Sequence, residues 1–201
     1  MTAGRKVNTA SQSWCTPPKY IGAIKRFWGG EIDLDPCSNE YSMVGALTEF
    51  KLPETDGLVS DWNYHTIYVN PPYGTDRTRG TSIKNWLAKC AISHEMFNSE
   101  VIALIPVAPN TSHWKKYIFG VADAICFLAD TRLKFYEKGI EHEKGAPMAC
   151  CMVYWGNEPH RFVSHFSPYG AALDITALKE IRRDIKTEQG ILPLFSMVNH
   201  P

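Results

Sequence analysis

Four consecutive residues, Asn70-Pro71-Pro72-Tyr73, carry the sharpest chemical signal in this chain. The Asn70 side-chain oxygen and the Pro71 carbonyl are two acceptors that together can take both hydrogens of a planar amino group. Drawing on both hydrogens localises the nitrogen lone pair, so that the amine can attack an electrophilic methyl carbon. The two prolines, Pro71 and Pro72, hold those acceptors in place beforehand. Tyr73 offers an aromatic face for the ring that bears the amine. Asn and Pro are also ordinary turn residues, so context has to decide. The preceding Thr66 to Val69 is β-branched and aromatic and halts at Pro71, which predicts a strand delivering Asn70 to a loop. Open α/β sheets bind their ligands at that end of a strand.

Other reactive side chains are weighed beside that motif. Six cysteines, at 15, 37, 90, 126, 150 and 151, show neither a C-x-x-C pair nor a framework spacing, so reduced and mostly buried thiols are expected, with no metal. Cys150 and Cys151 are adjacent on an apolar stretch and should point to opposite faces of a strand. Lys plus Arg (21) balances Asp plus Glu (21), which excludes a strongly basic nucleic-acid binder in bulk. The distribution is uneven, however: residues 31 to 61 hold eight acids and one base, whereas residues 62 to 90 hold four bases and one acid. The two segments should face different ligands. Gly74 to Gly80, with Arg77 and Arg79, forms a polar basic loop directly after the motif. It suits a nucleic-acid backbone and equally suits a solvated loop, and the same two readings hold for His113 to Lys116 and for the segment Glu137 to Lys144.

Alternating strand and helix patterns must position these groups. A helix is expected over about 17 to 28, with Thr16 as N-cap, Pro17 in the first turn and Gly29 after its end. Strands are expected at Glu31 to Asp35, Thr66 to Asn70, Val101 to Val107 and Ala124 to Leu128, with weak strand character near Ala46 to Leu52. Helices are expected at Thr81 to Phe97, from Thr111 to about Gly120, and at Thr176 to Gln189. Arg132 to Tyr136 and Met148 to Trp155 read as two arms of a long hairpin. The fold class is therefore α/β, an open and mostly parallel sheet with an antiparallel hairpin at one edge. The polar stretch 1 to 13 is expected to be a flexible N-terminal arm, and 14 to 201 a single domain, since nothing divides it. Without an apolar leader core or a run of 18 apolar residues, the expected location is the cytoplasm, with no membrane partner.

The tetrapeptide stands in an ordered series: Trp14-Cys15-Thr16-Pro17, Asp33-Leu34-Asp35-Pro36-Cys37-Ser38, Asp56-Gly57-Leu58, Asp61-Trp62, Asn70 to Gly74, Trp86, Leu104-Ile105-Pro106, Arg132-Leu133-Lys134-Phe135 and Gly145-Ala146-Pro147. In that order it resembles the small phage-type, Dam-like DNA adenine N6-methyltransferases. The resemblance implies a Rossmann-like sheet, trimmed between the first strand and the catalytic strand, with S-adenosylmethionine as methyl donor. It implies that Asp35, Pro36, Cys37 and Ser38 form the donor-binding turn, where many relatives carry glycines. It also implies that Asp61 accepts the donor adenine's amino hydrogen, and that Trp14 and Thr16 close over the donor's methionine portion. Asn70, Pro71, Pro72 and Tyr73 would then hold an adenine flipped out of double-stranded DNA. Arg77, Arg79, Lys84, Arg132 and Lys134 would contact that DNA. Pro36-Cys37 matches the thiolate nucleophile that attacks a cytosine ring, but its place after the first strand puts it on the donor side. Methylation of cytosine N4 or of an RNA base, and a binding module without catalysis, are the alternative readings.

Overall fold

The structure is a computed structural model, which describes residues 14–130 and 132–180. In chain order the elements are α1 (Pro18–Phe27), β1 (Leu34–Asp35), β2 (Thr48–Glu49), β3 (Thr66–Val69), β4 (Thr75–Asp76), β5 (Thr81–Ser82), α2 (Ile83–Phe97), β6 (Glu100–Pro106), α3 (Ser112–Tyr117), β7 (Ala124–Leu128), β8 (Tyr136–Glu137), β9 (Ile140–Glu141), β10 (Cys150–Trp155), α4 (Pro159–Phe166) and β11 (Gly170–Asp174). Seven strands form one sheet in the order β11-β7-β10-β6-β3-β1-β2. The β2-β1-β3-β6 half pairs in parallel, while β10 runs antiparallel to both β6 and β7, and β11 antiparallel to β7.

Period-two alternation buries both faces of the central strands. Tyr68, Ile102, Leu104, Met152 and Tyr154 face one core with α1 and α4, where Phe27, Phe162 and Phe166 pack. Ile67, Val69, Val101, Ala103, Val153 and Trp155 face the other, against Trp86 and Leu87 of α2 and Trp114 of α3. Cys150 and Cys151 accordingly lie in opposite cores. Helix α1 buries Tyr20, Ile21, Ala23, Ile24 and Phe27 along one stripe, carries Lys25 and Arg26 in its last turn, and ends at Gly29 with φ +83. Basic residues there complement the helix dipole, and the left-handed residue stops the helix.

Several expectations need correction. The N-cap position of α1 is Pro17, with Pro18 in the first turn. The Thr16 hydroxyl instead shares a 2.6 Å hydrogen bond with the Tyr68 hydroxyl in the core, so a buried partner has outcompeted the helix end. An antiparallel pair does sit at the sheet edge, but it is β7 with β11. The expected arms separate: Met148 to Trp155 contributes β10, wedged between β6 and β7, whereas Arg132 to Phe135 is not a strand. Six apolar residues in β10 are all buried, and only a central position covers both faces of such a strand. A short β8–β9 hairpin, turning through Lys138 (φ 51) and Gly139 (φ 78), fills the interval. The first strand is only Leu34–Asp35. Residues 36–65 hold β2 and no helix, which is the trimmed connection expected. Of the C-terminal helix, residues 177–180 are helical and the rest lies outside the described residues, as does the 1 to 13 stretch.

Candidate active site

Parallel pairing of β1 with β3, Leu34 opposite Ile67, brings Asp35 and Asn70 out at the same end of the sheet. They line one narrow cleft together with Trp14, Cys15, Thr16, Cys37, Ser38, Asn39, Ser42, Val44, Pro71, Pro72 and Tyr73. The Asn70 amide nitrogen donates to the Trp14 main-chain carbonyl at 2.9 Å, which fixes the amide so that its oxygen remains the acceptor. The Tyr73 hydroxyl donates to the Leu104 carbonyl at 3.1 Å and lies 3.3 Å from the Asn70 oxygen. Burial raises the Tyr73 phenol well above its usual range, so it is a neutral donor. Its ring meets Phe135 edge-on at 5.9 Å, and Phe135 stacks on Trp14 at 5.0 Å. An aromatic wall and an oriented acceptor thus share one cleft.

On the other side Asp35 is buried, and its carboxylate accepts the Cys37 N–H at 3.1 Å and the Ser42 hydroxyl at 3.4 Å. Burial raises its pKa to about 7, with the Cys37 amide opposing and the Glu49 charge adding to the rise. A buried acid raised in this way is stabilised as an anion by a nearby cation. Burial and the Asp35 charge hold the Cys37 thiol well above its usual range, so it is a poor nucleophile. Two buried polar atoms of the cleft-lining residues, Trp14 Nε1 and Ser38 Oγ, have no hydrogen-bond partner among the described residues. Buried polar groups are rarely left so. Two buried donors beside a buried acid fit a ligand that carries both a carboxylate and cationic groups. Past Cys37, Ser38, Asn39 and Pro72 the narrow cleft opens into one of about 890 Å³, walled by Phe50, Asp56, Gly57, Arg79 and Trp86. That is ample for a small ligand.

Not every expected residue arrives. Trp14, Thr16, Asp35, Cys37 and Ser38 line the narrow part, with Pro36 in the wider part. Asp61 is exposed and lines neither. Four acids line the wider part, Glu40, Glu54, Asp56 and Asp76, and Asp56 is the one that lies beside the Pro36 turn through its neighbour Gly57. Gly57 passes so close to that turn that a Cβ there would sit 1.7 Å from the Pro36 carbonyl oxygen; the sequence offered Asp56-Gly57-Leu58 only as one member of the ordered series. Arg77 and Lys84 are exposed, whereas Arg79 turns inward and forms an ion pair with Asp56. Exposed Arg132 and Lys134 border a separate groove with Lys19 and Asp130, and Lys134 pairs with Glu141 at 3.3 Å. Asn39, Ser42, Val44 and Phe50 were not singled out from the sequence. For Asn39 and Ser42 the only signal was their place in a polar stretch after an acid at a strand end; Val44 and Phe50 carried none.

The family described as DNA N-6-adenine-methyltransferase (Dam) matches residues 5–180. A DNA N-6-adenine-methyltransferase of Haemophilus phage HP1 (strain HP1c1) is 21% identical over 135 residues, covering 67% of this chain and 72% of its own. No solved structure matches.

Proposed function

The chain belongs to the DNA N-6-adenine-methyltransferase (Dam) family, and from that premise we propose that it transfers a methyl group from S-adenosylmethionine to the N6 amino group of adenine in DNA. The observation that carries this reading is the Asn70 amide, turned by the Trp14 carbonyl so that its oxygen is the acceptor in a cleft shared with Asp35. Residues 14–201 act as one methyltransferase domain in the cytoplasm. Among the described residues no helix is long and apolar enough to cross a membrane.

When bound, the donor supplies a methyl carbon made electrophilic by a sulfonium. Asp35, in its ionised form, attracts the donor's cationic groups, while Trp14 Nε1 and Ser38 Oγ, which have no partner among the described residues, would hydrogen-bond the donor's carboxylate. Asp56 stands in the wider cleft where the donor's base would lie. On the target side, Asn70 Oδ1 and the Pro71 carbonyl accept the two amino hydrogens of an adenine swung out of the duplex. Tyr73 and its aromatic neighbours border the ring. Drawing on both hydrogens directs the lone pair outward, and the nitrogen's surplus proton passes to water after transfer. Pro71 and Pro72 keep the two acceptors from relaxing, so little reorganisation is needed as charge develops. Arg77, Lys84, Arg132 and Lys134 contact phosphates.

The test is to incubate the protein with isotopically labelled S-adenosylmethionine and a mixture of DNA and RNA, then identify the labelled nucleoside by mass spectrometry. N6-methyldeoxyadenosine is expected. Label confined to N4-methyldeoxycytidine or to ribonucleosides would refute the reading.

A further inference from the structure

We propose that Arg79 is a positioning residue: its ion pair with Asp56 straps the loop that follows Tyr73 onto the wall of the methyl-donor cleft. This rests on the reading of that cleft as the donor site. It replaces the sequence expectation that Arg79 touches DNA.

The loop runs from Gly74 through Ser82 and is closed by β4 and β5, with Thr75 opposite Ser82 and Asp76 opposite Thr81. The Asp76 carboxylate accepts the N–H groups of Thr78 at 2.9 Å and Arg79 at 3.1 Å. That fold leaves Arg77 exposed and turns Arg79 toward the cleft, where its side chain is 26% exposed and that of Asp56 30%. Asp56 divides its oxygens: Oδ2 accepts from Arg79, while Oδ1 accepts the Leu58 N–H at 2.9 Å. Burial alone would raise the Asp56 carboxyl, but Arg79 and the neighbouring amides more than offset it and hold it below its usual range. The acid therefore stays charged. Its own anchor is firm, because Gly57 abuts the Pro36 carbonyl and accepts the Trp62 indole N–H at 2.7 Å. A continuous path of contacts thus joins the target-binding tetrapeptide, through Arg79 and Asp56, to the donor turn at Pro36 and Cys37. Loosening the loop should loosen the donor wall, and by linkage a bound donor should favour an ordered loop.

The experiment measures S-adenosylhomocysteine binding by calorimetry to the full chain, to Arg79→Gln, to Asp56→Asn, which retains an oxygen for the Leu58 N–H, and to the double variant. Each single change is expected to weaken binding about fivefold, as suits a partly exposed pair. The double change should cost no more than one single. Arg79→Lys should recover part of the loss. In turnover the donor KM should rise while kcat at saturating donor stays near its original value. DNA affinity without donor, and its dependence on salt, should be unchanged in Arg79→Gln yet reduced in Arg77→Gln. Full donor affinity in Arg79→Gln, strictly multiplicative single effects, or a flattened salt dependence in Arg79→Gln would each overturn the strap alone. Failure of the unaltered protein to bind the probe would overturn the donor-site reading, and the strap with it.

Discussion

Replacing Asp35 by Asn should stabilise the unliganded protein while damaging donor binding, and the size of the gain should depend on pH. Asp35 is buried, and burial lifts its pKa from 3.8 to about 7. A carboxyl whose folded pKa exceeds its unfolded value holds a proton in the native state that the unfolded state has released. Stability therefore falls as pH rises from about 4 to about 7, and levels off above that. Ionising Asp35 in its site costs on the order of 4 kcal/mol relative to the unfolded chain. At pH 5 the native carboxyl is still protonated and much of that cost is absent. The stability advantage of Asp35→Asn over the parent should accordingly widen by on the order of 3 kcal/mol between pH 5 and pH 8. Asn keeps an oxygen for the Cys37 amide, so the comparison isolates the charge. Denaturant unfolding at the two pH values measures the widening. Calorimetry with S-adenosylmethionine at pH 8 should show affinity lower by about tenfold, because a charged hydrogen bond becomes a neutral one. An advantage that does not change with pH, or unchanged donor affinity, would refute the reasoning.

Three further outcomes follow from the same geometry. Cys37→Ser should retain turnover, because the thiol is held protonated beside Asp35; a dead variant with normal donor binding would revive a thiolate mechanism. Gly57→Ala should lower stability by about 1 to 3 kcal/mol, since its Cβ would meet the Pro36 carbonyl oxygen at 1.7 Å and the backbone must move. Thermal unfolding should show that loss, and an unchanged midpoint would mean the contact yields freely. Arg77→Ala should reduce the slope of log affinity against log salt for DNA by about 0.9, and an identical slope would remove Arg77 from the phosphate contacts.

The local and the buried were legible in the sequence. Thr66 to Val69 and Val101 to Pro106 read as covered strands because β-branched and apolar residues fill both faces, and the prolines after Val69 mark where the ligand-facing loop begins. Long-range pairing was not legible. The unbroken apolar run of Cys150 to Trp155 calls for a covered, central place, but no local pattern can state that β6 and β7 are its partners. Helix α4 and strand β11 were missed for a related reason: Pro159–Phe166 is short, and its Phe162 and Phe166 stripe acquires meaning only against Phe27. At the site, the acceptor motif was readable because four consecutive residues carry it. Asp61 was expected at the cleft, where Asp56 lies instead, because two acids five residues apart look alike until Gly57 is seen against Pro36. Arg79 was grouped with Arg77 for want of any sign that the Asp76 side chain folds the loop between exposed and inward positions.

The central claim is that the Asn70 oxygen holds the amine that is methylated, and Asn70→Ala tests it most directly when transfer and donor binding are measured on the same preparation. Single-turnover methylation of DNA should fall by about 100-fold or more, as when one preorganised polar group is removed from a reacting centre. S-adenosylhomocysteine affinity should stay within about twofold of the parent, because the Asn70 oxygen is assigned to the target amine and not to the donor. Near-normal transfer by Asn70→Ala, or a loss of transfer explained wholly by lost donor binding, would contradict the account.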